Sequence, residues 1–267
     1  LRSPSLENLG SFSQKLSPSG SRTLARGQVL LFSSLLAALG LAVIHLFSSK
    51  LRFLDVIPRN RWLSIAGGVA VAYVVLHLLP ELQEYHEVLS DVGSGLPLPG
   101  EQAAYVLTLL GLVVFYGLEK FVRKAKAGGE GDTTDAGTFW LHIGSYSVYN
   151  VFIGYLLVRE DRDWQSLALF FIGIGLHFVV NDHGLRQQHK QKYRRIGRWM
   201  LSGAILLGWL VGVSTEIHEA ITASVVAFLA GGILLNTFKE ELPEERESRF
   251  WAFGLGAFGY AAILLVM

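Results

Sequence analysis

Long apolar runs recur through this chain, and no other feature limits its fold as severely. A helix needs roughly 17–25 predominantly apolar residues to cross a bilayer. Such runs fall at 29–48, 62–81, 102–121, 138–158, 164–182, 198–215, 218–238 and 249–267. The expected fold is therefore an all-α polytopic membrane protein, an eight-helix bundle over residues 29–267 with mostly short connections and no separate soluble domain. Only "STEIHE", residues 214–219, divides the sixth run from the seventh, so those two also read as one long bent helix. Composition agrees, with 51% of residues hydrophobic and only 17% charged. Residues 1–28 carry seven serines, almost no acid and no apolar core. They read as a disordered tail or the remnant of a targeting segment.

The charges are unevenly placed. With eight spans both termini lie on one side, and that side holds six cations: Arg2, Lys15, Arg22, Arg26, Arg159 and Arg162. The other 17 of the 23 Lys and Arg residues concentrate in 50–61, 120–126 and 186–198. The positive-inside rule places both termini outside and these basic loops in the cytoplasm, most simply across a cell (inner) membrane. The basic stretch 183–198 is explained by topology and lipid headgroups without nucleic acid. The chain has no cysteine, which removes disulfides, thiolate metal sites and thiol nucleophiles together.

Two segments repeat. Residues 66–84 read "AGGVAVAYVVLHLLPELQE" and residues 230–247 read "AGGILLNTFKEELPEERE". Both open on Ala-Gly-Gly and close on Leu-Pro-Glu, pairing Gly67 and Gly68 with Gly231 and Gly232. The second and seventh helices cross in opposite senses in the expected topology, so this is an inverted repeat of the kind that underlies many secondary transporters. Helices one to three and six to eight form two triplets, with helices four and five between them.

The polar residues inside the spans mark function by default. Helix four carries His142, Ser145, Tyr146, Tyr149 and Asn150 on related turns, and helix five carries His177 and Asn181 at i, i+4 with Asp182 beside them. Imidazole, amide oxygen and carboxylate are acceptable ligands for zinc, iron or manganese. The competing reading makes Asn150 and His177 interhelical hydrogen-bond groups, and Asp182 a marker of the membrane boundary. At the outer ends, His77, Glu81, Glu84, His86, Glu87, Asp91, Glu216, His218 and Glu219 form an acidic vestibule that would concentrate cations.

This pattern resembles the ZIP family of divalent-metal transporters, over most of residues 29–267. "LHLLPE", 76–81, looks like the family's second-helix signature, and residues 226–244 look like its seventh-helix segment. The family's fourth helix carries His-Asn-x-x-Asp-Gly; "YNVFIG", 149–154, keeps Asn150 and Gly154, with Tyr149 for His and Ile153 for Asp. Its fifth carries His-Glu-x-x-His-Glu-x-Gly; "HFVVNDHG", 177–184, keeps His177 and Gly184. There Phe178 replaces Glu, Asn181 replaces His and Asp182 replaces Glu. The resemblance implies a 3+2+3 fold with an inverted repeat and alternating access. It points to metal ligands at His177, Asn181, Asp182 and Asn150, fewer than the family's bridged pair of metals requires. The implied partners are a divalent cation as substrate, zinc foremost, the bilayer and a homodimer, with no resident cofactor and no enzymatic step. A ZIP-fold relative with another substrate, or with a regulatory or structural role, is the alternative. A third is an intramembrane metallohydrolase with His45, His142 and His177 on zinc and Asp182 as general base.

Overall fold

The computed structural model describes residues 18–48, 60–91, 102–127, 132–159, 163–241 and 250–266. Residues 1–17, and the second Leu-Pro-Glu at 242–244, lie outside the described residues. Helix α1 is Pro18–Phe47, so it already includes part of the expected tail. Helix α2 comprises Asn60–Tyr73, a π turn Val74–Leu78 and Leu79–Asp91. The rest are α3, Ala103–Ala127; α4, Asp132–Arg159; α5, Trp164–Lys192; α6, Arg198–Ser214; α7, Glu219–Glu241; and α8, Phe250–Val266. Six segments among the described residues are long and apolar enough to cross a membrane: Gly27–Phe47, Ser64–Asp91, Ala103–Val122, Ala136–Arg159, Trp164–Ser214 and Glu219–Phe238. The apolar Phe250–Val266 is shorter. The chain is an all-α protein of the integral membrane type.

Local chemistry explains the breaks. Pro80 has no N–H and its ring crowds the carbonyl four residues earlier. The π turn just before it widens the helix, with the Leu79 N–H donating to the Val74 carbonyl, and α2 continues without ending. Asp163 caps α5 by accepting from the Ser166 N–H at 2.8 Å. Between α6 and α7 the chain leaves the helix at Thr215 (φ −138°, ψ 147°). Arg159 on α4 fastens this short connection by bonding Glu216 at 2.9 Å and the Thr215 carbonyl. The sixth and seventh runs are thus separate helices.

The expected loop at 183–197 is instead helical. Hydrogen bonding passes from α5 to α6 through a kink at His189 and Lys190 and a π turn at Tyr193–Gly197. The direction of the chain still reverses there, as contacts along α1 show. Gly40 and Ile44 of α1 lie against Phe171 and Gly175 of α5, and His45 meets Asp182. Arg198 then bonds the Leu46 carbonyl, Ser202 the Ala42 carbonyl and Trp209 the Ser34 hydroxyl. So α5 runs with α1 and α6 runs back. A polar, basic sequence looks like a loop, but the backbone keeps its helical bonds by bending at two residues.

The helices pack in two sets, α1, α4, α5 and α6 in one and α2, α3, α7 and α8 in the other. They meet where α2 lies on α5 and α3 on α4. In the second set, bare glycine surfaces bring α2 against α8 and α7 against α3. A Cβ on Gly68 would strike the Phe253 carbonyl and Ala257 nitrogen, and one on Gly231 the Thr108 carbonyl and Leu112 nitrogen. Gly256 abuts the Ile65 carbonyl, and Gly111 the Phe228 carbonyl. One shift of 163 residues carries Gly68 to Gly231 and Ile65 to Phe228, and one of 145 carries Gly111 to Gly256 and Thr108 to Phe253. The same 163-residue shift superimposes the two Leu-Pro-Glu sequences. The register therefore pairs Gly68 with Gly231, one position from the Ala-Gly-Gly alignment, because packing follows the glycine that touches the neighbouring backbone. Leu82 and Leu89 of α2 pack near Ala223 and Ala227 of α7, whereas Tyr73 lies among Leu229, Ala230 and Ile233. The two helices thus run in opposite directions.

Candidate functional site

Three fully buried polar side chains meet where α1, α4 and α5 converge. His45, Asn150 and Asp182 are each 1% exposed. The His45 Nδ1 lies 3.0 Å from both carboxylate oxygens of Asp182, and its Nε2 donates to Asn150 Oδ1 at 2.8 Å. The Asn150 amide is oriented independently, since its Nδ2 donates to the Tyr146 carbonyl at 2.7 Å one turn back. Its oxygen must then face His45. With Nε2 committed as a donor, one proton lies between Nδ1 and the carboxylate. Tyr193, just past the kink, lies beside Asp182, and Ser48 Oγ lies 3.5 Å from its hydroxyl. Phe178 covers the imidazole face at 4.5 Å between centroids. An apolar bundle holds such a cluster only when its members satisfy one another.

The site residues expected from sequence separate into two places. Asn150 and Asp182 meet on His45. Asp182 is buried inside the bundle, and α5 continues as helix beyond it to Lys192. His177, also buried, lies one helical turn from Asn181, with Asn181 Nδ2 at 3.4 Å from His177 Nε2, and stands edge-on to Tyr149 at 6.3 Å. Ile153 faces a narrow cleft of about 20 Å³ shared by α2, α4, α5 and α7, with Tyr73, Phe170 and Ile174 beside it and Glu81 the one charged lining residue. Among the described residues, no group of three or more His, Cys, Asp or Glu side chains is placed to hold a metal.

The zinc trio of the hydrolase reading has three different sets of partners. His45 belongs to Asp182 and Asn150, and His177 to Asn181. The His142 Nε2 lies 3.3 Å from Glu119 Oε2, with its Nδ1 3.2 Å from His189 Nε2. His45 is the central residue of the site, although the sequence suggests it only for that trio, and nothing in the sequence singles out Tyr193. The signal for His45 is a lone histidine at the end of an otherwise apolar run; Tyr193 has none, since only the reversal of α5 into α6 brings it back to Asp182.

No protein-family model matches this chain, and no curated protein matches it significantly.

Proposed function

We propose that this protein is a ZIP-like membrane transporter whose cargo is a divalent cation of the zinc, iron and manganese class, carried by alternating access between its two helix sets. One observation carries the reading. Asn150 and Asp182, the positions of the two metal-binding frames that keep an oxygen donor, converge on a single imidazole. A cation at this centre would take the Asp182 carboxylate and His45 Nδ1 in place of the proton between them, with Asn150 Oδ1 holding the opposite nitrogen of the ring and His177 and Asn181 lining the approach. These are suitable donors for a borderline divalent ion.

The fold reading extends to eight crossings in a 3+2+3 inverted arrangement. The matched glycine contacts of α2–α8 and α7–α3 support it, as does the opposed course of α2 and α7. Sidedness is supported by Arg159 and Glu216, which meet although they follow α4 and α6. In this arrangement both termini face outward and the α5–α6 bend faces the cytoplasm of the cell membrane.

The alternative, a ZIP-fold protein that moves no metal, also has a specific observation behind it. His45 already satisfies both oxygen donors, and Ile153 and Phe178 are buried apolar groups where the family frame carries acids. Uptake of zinc, manganese and cadmium into proteoliposomes containing the purified protein separates the two. The transport reading expects saturable uptake that falls at least tenfold in Asp182→Asn and in Asn150→Leu. No uptake by the unaltered protein would establish the alternative, and uptake unchanged in both variants would overturn the role given to this centre.

A further inference from the structure

The bend that carries α5 into α6 is strongly basic. Six cations fall within 186–198, and no acid stands between Asp182 and Glu216. The π turn sorts its residues by direction. Tyr193 and Gly197 are buried, with the Tyr193 hydroxyl near Ser48 and the ring beside Asp182. Arg194, Arg195 and Ile196 between them are exposed, as is Lys190 just before. Neither arginine nor Lys190 has an ion-pair partner among the described residues. Adjacent like charges repel, and an anion held against them removes that cost.

The exposed surface continues down α6 as one stripe. Arg195, Trp199, Gly203 and Leu207 follow at intervals of four, with Leu210 beyond, and each is exposed. Arg198 lies over the Trp199 ring at 5.4 Å, a pairing that suits the level of lipid headgroups. A Cβ on Gly203 would meet nothing within 4 Å, so the stripe is notched one turn past Trp199. A partner that offers an anion to Arg194 and Arg195 and hydrocarbon to Gly203 and Leu207 is an amphiphile. Free phosphate and nucleic acid meet only the first condition.

We propose that this face binds an anionic phospholipid, with its phosphate on Arg194 and Arg195 and an acyl chain along α6. The bound lipid holds the π turn and, through it, the buried Tyr193. The phosphate contacts involve no residue of the proposed cation centre, so the site stands whether or not the protein moves a metal.

Hydrogen exchange of the full chain in nanodiscs tests this, because both faces of the protein then meet the same lipid. Phosphatidylglycerol mixed into phosphatidylcholine should slow the amides of residues 193–198 by about fivefold, the worth of one cation at an anionic surface. Bromine on the phosphatidylglycerol chains should quench more fluorescence than bromine on phosphatidylcholine, and Trp199→Phe should remove the difference. Arg194→Gln with Arg195→Gln should abolish both effects. Lys120→Gln with Lys124→Gln, exposed on α3, should keep them. Equal exchange in the two lipids would overturn the proposal, as would loss in the lysine variant, which would mean diffuse charge. Slowing by inorganic phosphate in pure phosphatidylcholine would assign the arginines to a soluble anion and overturn it too.

Discussion

His45 joins three helices through one ring, yet no spacing rule reveals it. Its partners Asn150 and Asp182 lie 105 and 137 positions away. Removing one member of a buried ion pair strands the other and costs about 3–5 kcal/mol. His45→Phe should therefore lower stability by that order in a denaturant titration in micelles. His45→Phe combined with Asp182→Leu should recover most of the loss, because no charge is then left alone. Additive losses in the double variant would mean that the two side chains do not act as a pair. At this scale the sequence reveals which residues of α4 and α5 are polar within apolar runs. The i, i+4 relation of His177 and Asn181 is also legible, because both sit on one helix. That Asp182 turns toward α1 while His177 turns toward Tyr149 depends on tertiary packing.

At the scale of elements, glycine determines how closely helices approach, and the contacts of α2, α3, α7 and α8 can be tested one residue at a time. Gly111→Val and Gly231→Val should each destabilise by about 1–3 kcal/mol through overpacking, since their side chains would meet backbone. Gly117, where an added Cβ would meet nothing within 4 Å, should accept Ala without loss. Equal tolerance at all three positions in thermal unfolding would rule out close backbone packing there. The start of α5 has a charge dependence. The hydroxyl and N–H of Ser166 both donate to Asp163 and hold its carboxyl below the ordinary carboxylate range. A carboxylate depressed in the folded state contributes fully above its unfolded pKa and loses that contribution as pH falls through the lower folded value. The cap should survive mild acid and fray only below it, as followed by the Ser166 amide resonance, and Asp163→Asn should cap without this pH dependence. Helix identity is readable from apolar length. The course of 183–197 is not, because basic residues mark topology without saying whether the backbone between two spans uncoils.

For the whole molecule, the two-set architecture and the absence of cysteine make sidedness easy to measure. Lys190, exposed at the bend, and Glu216, 85% exposed in its side chain, should lie on opposite faces. Lys190→Cys should escape an impermeant maleimide in intact cells and react after permeabilisation, whereas Glu216→Cys should react at once; labelling of both would remove the proposed topology. The glycine contacts also impose an order on biogenesis. Gly68 emerges from the ribosome about 180 residues before its partner Phe253. At about 5–20 residues per second, that is a delay of roughly ten to forty seconds. Throughout it, the notched face of α2 has no α8 to fill it, and α3 waits likewise for α7. Truncation after α6 should therefore leave a nascent chain that is threaded into the bilayer yet unfinished, retained by insertion factors and exposed to quality-control proteases until its second half arrives.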